Sequence, residues 1–473
     1  MIMTENNSFK ALKAGIWYTF SNFLSKGLVF ITTSIFARVL TKTEYGEYTN
    51  FATWQSLLLV IATFDLYSTI PRARYDYENE IDQYISSIML LGTIITFGFY
   101  VFAIIFMPEV SNILKIEPRY IHVMFLYILV APAIQTYQAK CRIFLEYKTA
   151  SALTIMSSVA SVLFAVLLVV LLDDKLFGRI IGQQAILIIV NLALYFWIIY
   201  KGRSFNKKFL SYSLRIAFPL VPHIVAGNLF VSFDKIAINQ ICGPEDLAYY
   251  SLAFNCALLV TVLWSSLNQA MVPWLFENLA KGNLCSIKDI SKYYIGIFMF
   301  ISAGILLMAP EIVFIFGGNE YERAKYLIPP VIMGACFQFA YSMYVNIEMY
   351  KKKTILISIG TIAATFLNIL LNYIFINIYG YVSAAYTTMF CFAVLAVFHF
   401  MIVKKMKMSY IYDNKFNSQV LLLMTVVTLL VNFTYQIFLI RLIAITFYVL
   451  IAVIFFLKKR KKLCCTLNMI IRK

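Results

Sequence analysis

Charge is scarce in this 473-residue chain. Asp, Glu, Lys and Arg together make up 13% of it, against about 25% in a typical soluble protein. So few charges cannot cover the surfaces of the three soluble domains that the length would otherwise allow. Histidine is scarcer still: His122, His223 and His399 stand alone in the sequence, so no histidine-based zinc site can be assembled. The eight cysteines show no CxxC spacing. Cys256, Cys336 and Cys391 lie in apolar runs, where a thiol acts as a small apolar residue. The pair Cys464-Cys465 sits on a tail expected in the cytoplasm, where a structural disulfide is not expected. No G-x-x-x-x-G-K-[ST] phosphate loop occurs, so the chain is not expected to hydrolyse ATP, and no cofactor is called for. No loop is long enough to hold a catalytic domain, and nothing argues for an enzyme. The polar segment 1–11 lacks the short apolar run and small-residue site of a cleaved signal peptide.

What is there is hydrophobicity, at 61% of residues. A spanning helix needs about 20 mostly apolar residues. About fourteen such runs occur, near 14–37, 48–70, 84–107, 119–139, 149–172, 179–200, 214–241, 247–275, 291–315, 327–350, 354–376, 381–403, 417–437 and 441–457. The expected fold class is therefore an all-α polytopic membrane protein.

The formal net charge of +17 fits either a nucleic-acid binder or a membrane protein whose cations are sorted to one side. Counting Lys and Arg in alternate loops decides the matter. With the N-terminus inside, the inner segments hold 29 cations, the outer segments 9, and two (Lys26, Lys235) fall within helices. Both termini are thus expected in the cytoplasm. The run Lys458-Lys459-Arg460-Lys461-Lys462, directly after a span, reads as a stop-transfer and anionic-lipid anchor rather than a nucleic-acid patch.

A weak duplication accompanies this topology. Helix 1 leads into a short polar turn, with Glu44 and Tyr45 before helix 2. About 202 residues later helix 7 leads into a similar turn, with Asp246 and Tyr249 before helix 8. The expected organisation is an N-terminal six-helix bundle (1–210), a C-terminal six-helix bundle (211–410), and two extra helices with a basic tail (411–473). An even number of helices per repeat implies a pseudo-twofold along the membrane normal and a central cavity.

The run from Arg38 to Tyr48, R-x-L-x-x-x-E-Y-G-x-Y, followed by Pro71-Arg72, resembles the polysaccharide exporters. So does the run from Asp234 to Ala253, D-K-x-x-I-x-x-x-x-G-x-x-x-x-x-x-Y-S-L-A. These are the O-antigen and capsule repeat-unit flippases of the multidrug/oligosaccharidyl-lipid/polysaccharide exporter superfamily. The resemblance implies alternating access by two six-helix bundles, carrying an undecaprenyl-pyrophosphate-linked oligosaccharide across the bacterial inner membrane. It also implies a cationic cavity facing the pyrophosphate and sugars. The partners that follow are the polyprenyl-pyrophosphate-linked oligosaccharide, membrane lipid and polysaccharide polymerase machinery, with no nucleic acid.

Charges at bilayer depth are costly and mark functional sites by default. Lys26 shares a helix face with Asn22 and reads as a cavity wall, or as the partner of Asp65 in an ion pair. On helix 7, Asn228, Ser232, Lys235 and Asn239 fall on one face, with Asp234 beside them, and Asn228 matches Lys26 in the duplicated register. Asp234-Lys235 also reads as a pair snorkelling to the interface. Pro219 and Pro222 are expected to kink or loosen helix 7. Arg72 and Arg74 precede the acids Asp76, Glu78, Glu80 and Asp82; they read as a solvated loop with internal salt bridges, or as a bidentate entry site for pyrophosphate. Asp65 and Asp234 are candidates for binding H⁺ or Na⁺, or for neutralising a neighbouring Lys. Glu348, one turn before Lys351–Lys353, reads as a paired helix-end acid, and His399 as structural. No residue is a candidate for catalysis or for binding a metal cofactor.

The leading functional expectation is a lipid-linked oligosaccharide flippase. The alternatives are a lipid II flippase of cell-wall synthesis, a multidrug cation antiporter of the same superfamily, and a polytopic polymerase or ligase. The antiporter needs a binding-site carboxylate, yet helix 1 carries Lys26 and no acid. The polymerase reading calls for a large outer loop that the chain lacks.

Overall fold

The helices start and stop where local chemistry directs. The computed structural model describes residues 27–454 except 145 and 452. Helix α1 (Gly27–Val39) ends before Thr41, whose hydroxyl accepts from the Glu44 N–H while Glu44 accepts from the Thr41 N–H at 2.8 Å. This capping box satisfies two free donors at the start of α2 (Lys42–Thr63). It also sets the start of α2 six residues before the expected 48. The far end of α2 stops at Phe64 and Asp65, both in the left-handed region with φ of 50°. A 3-10 turn and the short α3 (Ile70–Asp76) follow.

The chain then runs through α4 (Ile81–Ile105), α5 (Met107–Leu114), α6 (Pro118–Val130), α7 (Pro132–Ile143), α8 (Tyr147–Leu171) and α9 (Lys175–Gly202). Asp174 caps α9 by accepting from the Phe177 N–H at 2.9 Å. Pro132 divides the expected helix 119–139 into α6 and α7, because its ring removes a donor and crowds the preceding turn. The expected helix 214–241 is divided the same way: α10 (Lys207–Ala217) stops before Pro219, and α11 (Val221–Ile241) begins with Pro222 in its first turn. There follow α12 (Pro244–Ala280), α13 (Leu284–Leu307), α14 (Ala309–Gly317), α15 (Ile328–Tyr350), α16 (Thr354–Tyr379), α17 (Val382–Lys405), α18 (Asn414–Thr434) and α19 (Phe438–Ile451).

Among the described residues, eleven helical segments are long and apolar enough to cross a bilayer, the α6–α7 pair counting as one. Helices α1 and α19 are shorter apolar helices. With the 22-residue α2, these segments occupy the fourteen expected positions. Large apolar side chains such as Ile355, Phe366, Leu422 and Phe433 are exposed on the outer faces of α16 and α18, as lipid contact requires. The chain is an all-α, multi-pass membrane protein.

Helices α2 and α12 start 202 positions apart, at Lys42 and Pro244, and cross closely. A Cβ on Gly46 would overlap the Pro244 carbonyl, so only glycine permits this approach. Gly243, which caps α12, has φ of 96°, where other residues are strained. The largest apolar cluster spans this crossing, joining Phe36, Leu40 and Tyr45 to Leu247, Tyr250 and Ala253. Helices α18 and α19 dock on α13 and α14: the Tyr435 hydroxyl donates to the Leu306 carbonyl of α13 at 2.5 Å, Tyr448 to that of Phe300 at 2.9 Å, and Arg441 pairs with Glu311 of α14 at 2.5 Å.

Candidate functional site: two buried polar centres beside a cross-linked end

The helices of residues 27–202 and those of residues 221–405 are tied together where the α1–α2 and α11–α12 turns meet. Arg38 on α1 donates to the carbonyls of Phe314 (3.1 Å) and Ile315 (2.8 Å), and Ser34 donates to Ile315 at 3.0 Å. These carbonyls close α14, whose C-terminus carries partial negative charge, so a guanidinium is a fitting cap. Asn255 donates to the Tyr45 hydroxyl at 3.1 Å, Gln240 to the Ile113 carbonyl at 2.6 Å, and Lys42 lies 3.7 Å from Glu245. All of these links lie at one end of the molecule. The opposite end carries α3, α10 and the Lys351–Lys353 turn.

Within the second set of helices, α11 buries Asp234 at mid-span, 2% exposed. Three neutral donors converge on its carboxylate: the Tyr250 hydroxyl of α12 at 2.5 Å, Asn372 of α16 at 2.6 Å and the Thr388 hydroxyl of α17 at 2.6 Å. Asn372 in turn accepts from Thr387 and donates to Asn368, which donates to Thr388. A buried carboxylate is tolerated when its lone pairs are answered this way. Three helices thus meet on one acid that has no ion-pair partner among the described residues.

The first set holds the opposite charge. Arg179 on α9 is 5% exposed and lies between two rings, its guanidinium carbon 3.9 Å from the Phe36 centroid and 4.1 Å from that of Tyr48. One nitrogen donates to the Tyr48 hydroxyl at 2.9 Å, and that hydroxyl donates to Gln183 at 2.6 Å. The other two guanidinium nitrogens are sealed from solvent and have no hydrogen-bond partner among the described residues. Among the described residues, no acid lies within ion-pair distance. Ring faces offset part of the desolvation cost of a cation, but two open donors remain aimed into the helix packing. Further along the same helices, Gln184 donates to Gln55 at 3.1 Å.

The residues singled out in the sequence are distributed as follows. Asn22 and Lys26 lie outside the described residues, as does the Lys458–Lys462 tail. Lys235 is half-buried on α11 with its ammonium 4.6 Å from the Phe254 centroid; among the described residues it forms no ion pair, and Asp234 acts on it only through space. Asn228 is half-buried on the same helix and donates to the Ile224 carbonyl of its own turn at 2.9 Å. Asp65 is not inside a helix: it occupies the left-handed turn after α2, with Tyr67 and Ser68 hydrogen-bonded to it. Arg72 and Arg74 sit on α3 and pair with Asp76 (3.2 Å) and Glu78 (3.3 Å). The Tyr212 hydroxyl, 2.5 Å from Asp76, holds that carboxyl below the usual carboxylate range, with Arg72 adding to the effect. Glu348 does not pair with the Lys351–Lys353 turn; its partner is His399.

Arg179 was not singled out from the sequence, and Tyr48 and Tyr250 entered only as positions of the two motif runs. Arg179 falls at the edge of an apolar run and counts there as a loop cation. Two signals were present all the same. Gln183-Gln184 interrupts the apolar run one turn later, and Tyr48 and Tyr250 stand 202 positions apart.

Known proteins match this arrangement along most of its length. The family model described as polysaccharide biosynthesis protein matches residues 11–279, and the MatE model matches residues 219–374. A Haemophilus influenzae relative, Lsg locus putative protein 1, is 23% identical over 75% of this chain and 89% of its own length. Among solved structures, lipid II flippase MurJ in an inward closed conformation superposes with a TM-score of 0.72 at 16% identity, covering 94% of this chain and 99% of that one. An inward-facing multidrug resistance transporter of the MATE family reaches 0.64 at 14% identity, covering 82% and 95%.

Proposed function

The chain belongs to the polysaccharide biosynthesis protein family, whose members are transporters of the MATE-type superfamily rather than enzymes, and on that premise we propose that it is a flippase for lipid-linked oligosaccharides. Its cargo is a polyprenyl-pyrophosphate-linked repeat unit for O-antigen, capsule or exopolysaccharide. The cargo moves by alternating access of two six-helix bundles, residues 1–210 and 211–410. The basic end faces the cytoplasm of a bacterial inner membrane, with both termini on that side. The excess of Lys and Arg at that end supports this orientation.

The observation that carries the cargo reading is electrostatic. Arg179, one turn into α9, and Lys235, on α11, lie within apolar helices and have no acid in ion-pair distance among the described residues, while the hydrogen bonds to the buried acid Asp234 all come from neutral donors. A pyrophosphate stripped of water needs cations that are not already neutralised. The prenyl tail stays in lipid while the head group passes between the bundles, with Lys26, Asn22 and Asn228 as further cargo contacts and Arg72 and Arg74 at the entrance. Asp234 binds the coupling H⁺ or Na⁺. Deleting the gene is expected to remove surface polysaccharide and to leave lipid-linked repeat units on the inner leaflet. Undiminished surface polymer would overturn the reading.

The second reading is lipid II as cargo, favoured by the similarity to MurJ over 94% of the chain. Complementation of cells depleted of their lipid II flippase separates the two. A cationic drug as cargo is disfavoured by the same two unpaired cations.

A further inference from the structure

One face of α17 carries more than the Asp234 nest. Thr388, Phe392, Leu395 and His399 follow one another at helical spacing along it. Thr388 serves Asp234. Phe392 packs edge-on against Phe230 at 4.8 Å and lies parallel to Tyr341 at 6.2 Å. Eleven residues beyond Thr388, about 16 Å along the helix, His399 Nδ1 meets Glu348 Oε1 of α15 at 2.8 Å. The two side chains are 1% and 0% exposed. Tyr341 and Phe398 flank the imidazole, and Gly360 of α16 makes room for it, since a Cβ there would stand 3.1 Å from Nε2. The second carboxylate oxygen of Glu348 is sealed and has no hydrogen-bond partner among the described residues.

Among the described residues, no other charge is in ion-pair reach of this pair. On α15 the nearest charged groups in sequence are Lys351–Lys353 beyond its end, and on α17 they are Lys404 and Lys405. Helix α16 holds no titratable residue before Tyr373, and α11 carries His223 near its start, with Asp234 and Lys235 toward its other end. Lys292 of α13 is engaged with Asp413 beside α18, and Lys281 with Glu277 on α12.

Such a pair has three charge states. With no proton it is a bare anion and with two it is a bare cation, both costly in a sealed apolar site. With one proton it is neutral overall, whichever atom holds the proton. We propose that His399 and Glu348 form a proton-binding dyad, distinct from Asp234, that takes one proton from water at the basic end and returns it when α15 and α17 part there. No other bond changes in the step. Loss of the proton leaves an anion that draws in water, so proton release and helix separation favour one another. The inference rests on membership of a transporter family, not on the cargo and not on Asp234 as an ion site.

The test uses the full-length protein in lipid nanodiscs, with hydrogen exchange followed at acid and alkaline pH and corrected for intrinsic rate. Exchange across 346–350 and 399–405 is expected to rise at least about threefold on going to alkaline pH. E348Q and the E348Q/H399Q pair, whose side chains still hydrogen-bond without charge, are expected to abolish that rise, while D234N keeps it. Infrared pH-difference spectra are expected to lose one carboxyl feature in E348Q and a different one in D234N. A wild-type protein with no pH-dependent exchange overturns the proposal, as does a folded E348Q/H399Q pair that retains it. Loss of the rise in D234N alone assigns the effect to Asp234 and overturns it too. Failure of the cargo assay with the dyad result intact would instead count against the flippase reading.

Discussion

Among the described residues, the first set of helices buries around Tyr48 a cation with no acid in ion-pair distance; around Tyr250 the second set buries an acid that forms no ion pair, although Lys235 beside it in sequence is close enough to act on it through space. The two tyrosines stand 202 positions apart, at the same turn of α2 and of α12, and each uses its hydroxyl on the buried charge. The solutions differ in completeness. Asp234 is met by three donors from three helices and needs nothing further. Arg179 keeps two nitrogens open and relies on ring faces. A carboxylate already met by three donors takes up a proton or a small cation only as some of those donors turn aside, so such binding is linked to the packing of α12, α16 and α17. A site with open donors is completed by any acceptor, and an anion also answers its charge. Under the proposed function, the difference gives the two centres opposite roles: coupling in the second set, cargo in the first.

The largest effect is expected from the second centre. Asp234→Ala leaves the Tyr250, Asn372 and Thr388 groups without their shared acceptor, at about 1–3 kcal/mol for each orphaned group. The expected outcome is a strongly lowered melting temperature and no transport. Asp234→Asn should keep the fold and still lose at least about tenfold in ion-driven transport, which corresponds to about 1.4 kcal/mol. A wild-type ion dependence in that variant would erase the contrast between the centres.

Next comes Arg179→Gln. It is expected to melt near wild-type temperature, because it removes a poorly satisfied charge. Repeat-unit translocation should nevertheless fall about tenfold, read from surface polysaccharide at equal membrane abundance. Full export by this variant would break the comparison at its cationic side.

A smaller and purely conformational effect is expected from Arg38→Ala. It removes two charge-assisted bonds to the α14 carbonyls, each worth about 1.5–3 kcal/mol at most. The cross-linked end should open more often without loss of either buried centre. Distances between spin labels across the α1–α14 junction measure this.

The smallest effect concerns Asp76, which Tyr212 and Arg72 hold below the usual carboxylate range. A depressed acid contributes stability above its ordinary value near 3.9, and that contribution disappears as pH falls through the lowered value. Docking of α10 on the first set should therefore loosen only under strong acid. Tyr212→Phe should shift that loosening toward neutral pH, as seen in hydrogen exchange across 207–217.

The positions of the spans were legible in the sequence because lipid imposes one rule on every helix: about 20 apolar residues between charged or turn-forming breaks. Pro219 and Pro222 marked where the expected helix 214–241 divides, whereas the break at Pro132 and the Thr41–Glu44 cap of α2 came from the structure. Pairings between helices were not legible. Glu348 finds His399 across 51 positions, and Asp234 finds Asn372 across 138. Local spacing pointed instead to the nearest lysines, which is why Glu348 was matched with Lys351–Lys353 and Asp234 with Lys235. Arg179 was hidden for a different reason. Its neutralisation comes from ring faces on two other helices, and no charge pattern along the chain records that.

Helix α12 is 37 residues long, hence about 55 Å from end to end, nearly twice the roughly 30 Å hydrocarbon layer. It starts at the Gly46–Pro244 crossing, where the two sets of helices are bound most closely, and runs unbroken past Pro273 to Ala280. A rod anchored at one tip amplifies whatever happens there. A tilt of only about 10° at the fulcrum swings its far tip through roughly 10 Å for a rod of that length. A gap of that size admits a phosphorylated sugar head group, so an aperture for the cargo requires no helix to break or refold.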